Sequence, residues 1–321
     1  MAQEQMGAVI EYLAEMQACA EAIGLKPPRF LQPEERWAEL DGIRFHYLDW
    51  GNPHLPHLVL LHGGSLTAHT WDMAALVLRD RYHVVALDQR GHGDSGWTPE
   101  DQIGTSNSDL MLRDTKAFID HLGYEHFFLC GHSMGSHNAI RYAAAHPERP
   151  DALIIVDSGP AVMLEGRQDM EAFRNETETM SRFEDFLDRA VKFNPQRKPE
   201  HLRYSLLHSL KRVPEGWTWK QDHRPRPYDA TPLPERWAAE REERSRRMKA
   251  DLTAYTRPTL LLRGEISRTF SPEAAREAMS VIPDGELVKI PRAGHSVQGD
   301  NPRDLARALD AFLTRRFGLP D

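Results

Sequence analysis

Four short apolar runs constrain this chain more than any other feature: His57–Leu61, Tyr82–Leu87, His126–Cys130 and Ala152–Val156. Each has the length of a strand and none shows the apolar/polar alternation of a half-exposed one, the pattern expected of strands buried on both faces. Helix-length stretches separate them, notably Ser108–Leu122 and Met134–His146. Strand alternating with helix gives βαβ units, so the fold class is α/β, a mostly parallel sheet flanked by helices. The alternation pauses from Pro160 to about Asp251 in a segment rich in charge, Trp and Pro. It resumes with strand Thr259–Leu262, a helix over Pro272–Val281, strand Glu286–Ile290 and a last helix over Asn301–Arg316. A helical insertion after the sixth strand therefore interrupts one sheet, and no internal repeat or low-complexity tract accompanies it.

Ahead of the buried runs, two strand-like segments between Arg36 and Trp50 flank Asp41-Gly42, a strong hairpin signal that predicts an antiparallel pair at the start of the sheet. Earlier still, Val9, Ile10, Leu13, Met16, Cys19 and Ala20 recur at spacings of three and four, which predicts an amphipathic helix stopped by Gly24 and Pro27-Pro28. That helix is expected to pack on the body or on a second copy, so a homodimer is one partner expectation. The domain reading is an N-terminal helical extension over 1–28, a core formed by 29–159 with 252–321, and a cap over 160–251.

Composition removes several function classes. With 40 basic against 48 acidic residues the net charge is −8, so no cationic excess exists to recruit nucleic acid or an anionic membrane. Two cysteines, Cys19 and Cys130, exclude a disulfide framework and a cysteine zinc site. No apolar run approaches the ~18 residues of a membrane span, and the N-terminus lacks the basic region of a secretory signal, so a cytoplasmic location is expected. The charged run Arg236–Lys249 reads as a solvated helix face.

The chemistry is concentrated where strand His126–Cys130 runs into Gly131-His132-Ser133-Met134-Gly135 and a helix follows. This is G-x-S-x-G in its strand–turn–helix context. The serine must sit on a sharp, strained turn, and the glycines two before and two after it let strand and helix approach. The helix N-terminus also aims backbone N–H groups at developing negative charge.

From here the chain resembles the α/β-hydrolase family, over nearly all of Arg36–Arg316. His62-Gly63-Gly64 stands where that family has its oxyanion loop. Asp88-Gln89-Arg90-Gly91-His92-Gly93-Asp94-Ser95 is similar to its structural D-x-R-G-x-G-x-S turn, and Gly294-His295 to the loop of its catalytic histidine. The resemblance implies that Ser133 attacks a carbonyl, that His295 takes and returns the proton, and that the N–H groups of Gly64 and Met134 hold the oxyanion, without a metal or cofactor. His62 and His132 are read as residues that orient loops. The family's acid follows the strand Thr259–Leu262, commonly as G-x-x-D, but this chain has Gly264-Glu265-Ile266-Ser267 and places a serine at the acid position. Three readings stand: the acid is Asp157 at the end of the preceding strand, it is Glu265, or it is absent. Asp157 is the assignment, since the order Ser, Asp, His is then preserved.

The partner is a small molecule. Ser133 excludes epoxide-hydrolase and dehalogenase chemistry, which in this family uses an aspartate at the elbow. The cap carries Phe173, Phe183, Phe186, Phe193, Tyr204, Trp217, Trp219 and Trp237; aromatics at helical spacing, such as Phe183 and Phe186, read as the cap's own core, whereas Trp217 and Trp219, with Trp71 beyond the oxyanion loop, are expected to wall an apolar pocket. The reading is a serine hydrolase of a medium-sized carboxylic ester or lactone. A carbon–carbon bond hydrolase with the same triad and a small-molecule receptor with a vestigial site are the alternatives.

Overall fold

The structure is a computed structural model and describes residues 2–161, 179–224 and 233–319. Phe173 and the side chain of Trp237 lie outside the described residues. The main sheet has eight strands: β1 Glu34–Leu40, β2 Ile43–Asp49, β3 His57–Leu61, β4 His83–Leu87, β5 Phe128–His132, β6 Ala152–Val156, β10 Thr259–Gly264 and β11 Gly285–Ile290. Their spatial order is β1-β2-β4-β3-β5-β6-β10-β11. The pairs β1/β2 and β2/β4 are antiparallel and the rest parallel. The hairpin turns on Asp41 and Gly42, with φ of 49° and 78°, a pair of left-handed residues that matches the twist of the flanking strands.

Two-sided burial follows from the sequence of the strands. In β5, Phe128 and Cys130 enter one core cluster while Leu129 enters the other; β6 divides Ile154 and Val156 from Leu153 and Ile155 in the same way. One cluster is covered by α1 (Ala2–Ala22), α2 (Asp72–Leu78) and the C-terminal helix Pro302–Phe317. The other is covered by α3 (Asn107–Leu122), α4 (Met134–Ala145) and the helix Pro272–Met279. Helix α1 rests on the body: Met16, Cys19 and Ala20 are fully buried in the cluster that contains Trp71 and Tyr204.

Between β6 and β10 the described chain is not purely helical. Helices α5 (Phe183–Phe193) and α6 (Pro199–Ser209) are joined by a small antiparallel sheet of β7 (Thr179–Met180), β8 (Leu210–Val213) and β9 (Gly216–Trp219), ordered β7-β9-β8, and α7 (Leu233–Ala254) packs on α4. Pro214-Glu215 turns β8 into β9. Gly216, at φ 137°, passes so close to β7 that a Cβ there would lie 2.2 Å from the Met180 carbonyl oxygen.

Candidate active site

The loops after β3, β5, β6, β10 and β11 converge at the carboxyl ends of the parallel strands, where open α/β sheets hold their ligands. Ser133 caps α4 with φ 51° and ψ −112°, a conformation L-residues avoid at a cost of ~1–3 kcal/mol. The turn is possible only because its neighbours lack side chains. A Cβ on Gly131 would sit 2.2 Å from the Gly135 carbonyl oxygen, and one on Gly135 would sit 2.3 Å from that of Leu61.

The carboxylate that meets His295 belongs to Asp157, with Oδ2 2.8 Å from Nδ1. Asp157 also has positive φ, 50°, and its side chain is fully buried. Its Oδ1 accepts the Gly264 N–H at 2.9 Å, and its Oδ2 accepts the Ser267 hydroxyl at 2.5 Å. The serine at the family's acid position thus donates to a carboxylate one strand away. Ser267 Oγ is itself fixed by the N–H groups of Thr269 and Phe270, at 3.3 and 3.2 Å. Glu265 faces elsewhere: it accepts the Arg292 N–H at 3.1 Å and pairs with Lys289 at 3.0 Å, contacts that hold its pKa below the usual range.

The His295 loop is pinned at three further points. His132 Nε2–H donates to the His295 carbonyl oxygen at 2.8 Å, and the two rings are 4.8 Å apart. Gln298 Nε2 donates to His132 Nδ1 at 3.3 Å and to Thr70 Oγ1 at 3.1 Å. Burial, then the neighbouring His295, drives the His132 pKa far down, so the ring stays neutral and its tautomer is fixed by these partners. The Gly294 N–H donates to Asp300 Oδ2 at 2.9 Å, while Asp300 Oδ1 accepts from Arg197 at 2.6 Å, a tie between the insertion and the histidine loop.

The loop after β3 is braced from the neighbouring turn. His62 Nδ1–H donates to the Gly63 carbonyl at 2.8 Å and Nε2 accepts the Gln89 N–H at 2.9 Å; burial depresses its pKa. Asp88 accepts from His46 Nδ1 at 2.7 Å and from the Ala68 N–H at 2.6 Å. Burial alone would raise its pKa, but these contacts outweigh it and hold the group ionised. Arg90 grips Asp114 through two 2.7 Å bonds. Gly64 and Met134 are adjacent, since a Cβ on Gly64 would lie 3.9 Å from Met134 Sδ. Neither N–H donates to an acceptor among the described residues. Two free donors beside the serine can receive a developing oxyanion.

The three tryptophans expected to wall a pocket each pack against a core. Trp71 is buried in the main core at 1% exposure. Trp217 and Trp219 lie on β9 and meet Phe183 and Phe186 edge-to-face, each at 5.4 Å, inside the small core that α5 and α6 share. A two-residue alternation, Trp217 and Trp219 around Thr218, directs both rings to the face that this core covers. Sequence reasoning missed Gln298 and Thr70, which no motif marks, although Gln298 stands three residues after His295 on the turn that follows it.

A family model described as alpha/beta hydrolase fold matches residues 56–302. Esterase Rv0045c of Mycobacterium tuberculosis is 29% identical over 84% of this chain and 86% of its own. A 2-(acetamidomethylene)succinate hydrolase of Mesorhizobium japonicum is 27% identical over 80% and 88%. A crystal structure of E-2-(acetamidomethylene)succinate hydrolase superposes with a TM-score of 0.73 at 22% identity, covering 88% of this chain and 99% of that one. That of esterase Rv0045c gives 0.69 at 25%, covering 94% and 97%.

Proposed function

The chain belongs to the α/β-hydrolase family, and from that premise we propose that it hydrolyses a carboxylic ester or lactone through an acyl-serine intermediate. The observation that carries this reading is the His295–Asp157 contact of 2.8 Å, together with an elbow serine and two N–H groups that donate to no acceptor among the described residues. In the proposed mechanism Asp157 holds Nδ1–H of His295, which leaves Nε2 as the base. Ser133 Oγ attacks the carbonyl carbon as its proton passes to His295, and the carbonyl oxygen becomes an oxyanion received by the N–H groups of Gly64 and Met134. Each such donor is worth roughly 2.7–4 kcal/mol in the transition state. Collapse expels the alcohol, which takes the proton from His295. Water then attacks the acyl-serine, giving its proton to His295, and Ser133 leaves with that proton as the acid is released.

An esterase among the relatives similar over most of both chains supports the ester reading. The amide-bearing succinate named for a second relative favours one further substrate class, in which the same acyl transfer releases an amine. Hydrolysis of a para-nitrophenyl ester series, set beside an N-acyl series, by wild type and Ser133→Ala tests both. Ester turnover lost in Ser133→Ala is expected. A folded wild type inert on every ester and amide would overturn the reading in favour of the carbon–carbon hydrolase or the receptor.

A further inference from the structure

A second polar cluster lies where three parts of the chain meet. It comprises Tyr12 of α1, His69 in the 3-10 turn Ala68–Trp71, Asp72 at the start of α2, and Tyr204 and His208 of α6. The Asp72 side chain is fully buried. Its Oδ2 accepts from Tyr204 at 2.5 Å, from His69 Nδ1 at 2.9 Å and from Tyr12 at 3.1 Å. Its Oδ1, equally buried, has no hydrogen-bond partner among the described residues. The His208 ring stacks on His69 at 3.7 Å and 20°, and neither of its nitrogens takes part in a hydrogen bond among the described residues. Burial, then the neighbouring His69, keeps His208 neutral, whereas Asp72 outweighs burial at His69 and raises its pKa.

A hydrogen-bonded brace accounts for Oδ2 and its three donors. It leaves unexplained a buried carboxylate oxygen and, stacked beside it, a half-buried imidazole with no hydrogen-bond partner among the described residues. A cation would use both. We propose that His69, Asp72 and His208 form a binding site for a divalent transition-metal ion of the zinc class, bridging the hydrolase core to the inserted segment. Two imidazoles and one carboxylate select such ions over calcium or magnesium, which prefer all-oxygen shells. The donor atoms lie within 4.8 Å of one another. Ligands around tetrahedral zinc at ~2.1 Å stand about 3.4 Å apart, so the rings must turn out of their stack and close by roughly 1 Å. Tyr12 and Tyr204, donating to Oδ2, would orient the carboxylate from behind. The proton that His69 shares with Asp72 leaves to solvent as the ion enters. Lys220 is the cation that opposes entry, and it is paired with Asp94 at 2.5 Å.

The ion would join His208 of α6 to residues of the core, so occupancy should stiffen the insertion on the body. The test is a titration of the intact protein with Co²⁺ followed by its visible absorption, then with Zn²⁺ by calorimetry and thermal unfolding. Wild type, His208→Gln and His295→Ala are compared. Expected are one ion per chain, a Zn²⁺-dependent rise in Tm, affinity at least about tenfold weaker in His208→Gln, and unchanged affinity in His295→Ala. Equal affinity in wild type and His208→Gln, or loss in His295→Ala, would assign the ion to surface histidines or to the Ser133 site and overturn the proposal. So would a wild type that takes up no Co²⁺, a result that does not depend on any variant folding. Binding is read without turnover, so this proposal and the esterase reading fail separately.

Discussion

Replacing Asp157 by Asn tests the relocated acid, and the geometry dictates how the amide must sit. The Gly264 N–H points at the Oδ1 position at 2.9 Å and needs an acceptor, so the amide oxygen is held there. The NH₂ then occupies the Oδ2 position, 2.8 Å from His295 Nδ1, and donates to it. The imidazole proton is forced onto Nε2, the atom that has to accept from Ser133. Turning the amide round would set NH₂ against the Gly264 N–H, leaving a buried donor unmet at about 1–3 kcal/mol, and still would not restore the charge. At 2.8 Å and an effective dielectric of about 20, the lost attraction for the imidazolium is about 6 kcal/mol. The comparable substitution in a serine protease lowers kcat by about 10⁴, or roughly 5.5 kcal/mol, so both routes give the same size. Steady-state hydrolysis of a para-nitrophenyl ester should show kcat down by about 10⁴ with KM within a few-fold. A loss below about tenfold, in a folded variant whose Ser133→Ala counterpart is inactive, would refute the assignment.

Ser267→Ala removes one charge-assisted bond of about 1.5–3 kcal/mol from Asp157, so kcat should fall by about 10–100-fold, measurably less than in Asp157→Asn. Gly135→Ala would force a Cβ to 2.3 and 2.6 Å from the carbonyl oxygens of Leu61 and His62, backbone that cannot yield. Urea denaturation should show a loss of about 3 kcal/mol or more, and an unchanged midpoint would contradict the packing. Desolvation of the His201 ring, then the neighbouring Arg197, lowers its pKa to about 4, below the ~6.5 of the unfolded chain. Its contribution is therefore complete above pH ~6.5 and is lost as pH falls toward 4, at most about 3 kcal/mol. His132 and His208 are shifted in the same direction and steepen the decline. In unfolding experiments across that window His201→Gln should flatten the slope, and a slope equal to wild type would show that the ring is not buried neutral.

The sheet was legible in the sequence because two-sided burial leaves an unbroken apolar signature, as in Ala152–Val156, where every residue is buried. The elbow and the hairpin were legible because backbone geometry there admits few residue types: Gly131 and Gly135 for close approach, Asp41-Gly42 for left-handed φ. The histidine partner was harder. Asp157 and Ser267 are 110 residues apart, and only the adjacency of β6 and β10 brings the hydroxyl to the carboxylate. Gln298 and the cluster around Asp72 left no local trace, since Tyr12 and Tyr204 reach Asp72 across 60 and 132 residues. The small sheet carrying Trp217 was not legible because strands of two to four residues give too short an alternation to separate from a loop.

Covalent acylation of Ser133 is the step on which the proposed mechanism rests. Intact-mass analysis after exposure to a fluorophosphonate, followed by peptide mapping, tests it most directly. A single adduct on Ser133 is predicted, absent in Ser133→Ala and formed far more slowly in Asp157→Asn. A folded wild type that takes no label, or takes it on another residue, would contradict the account.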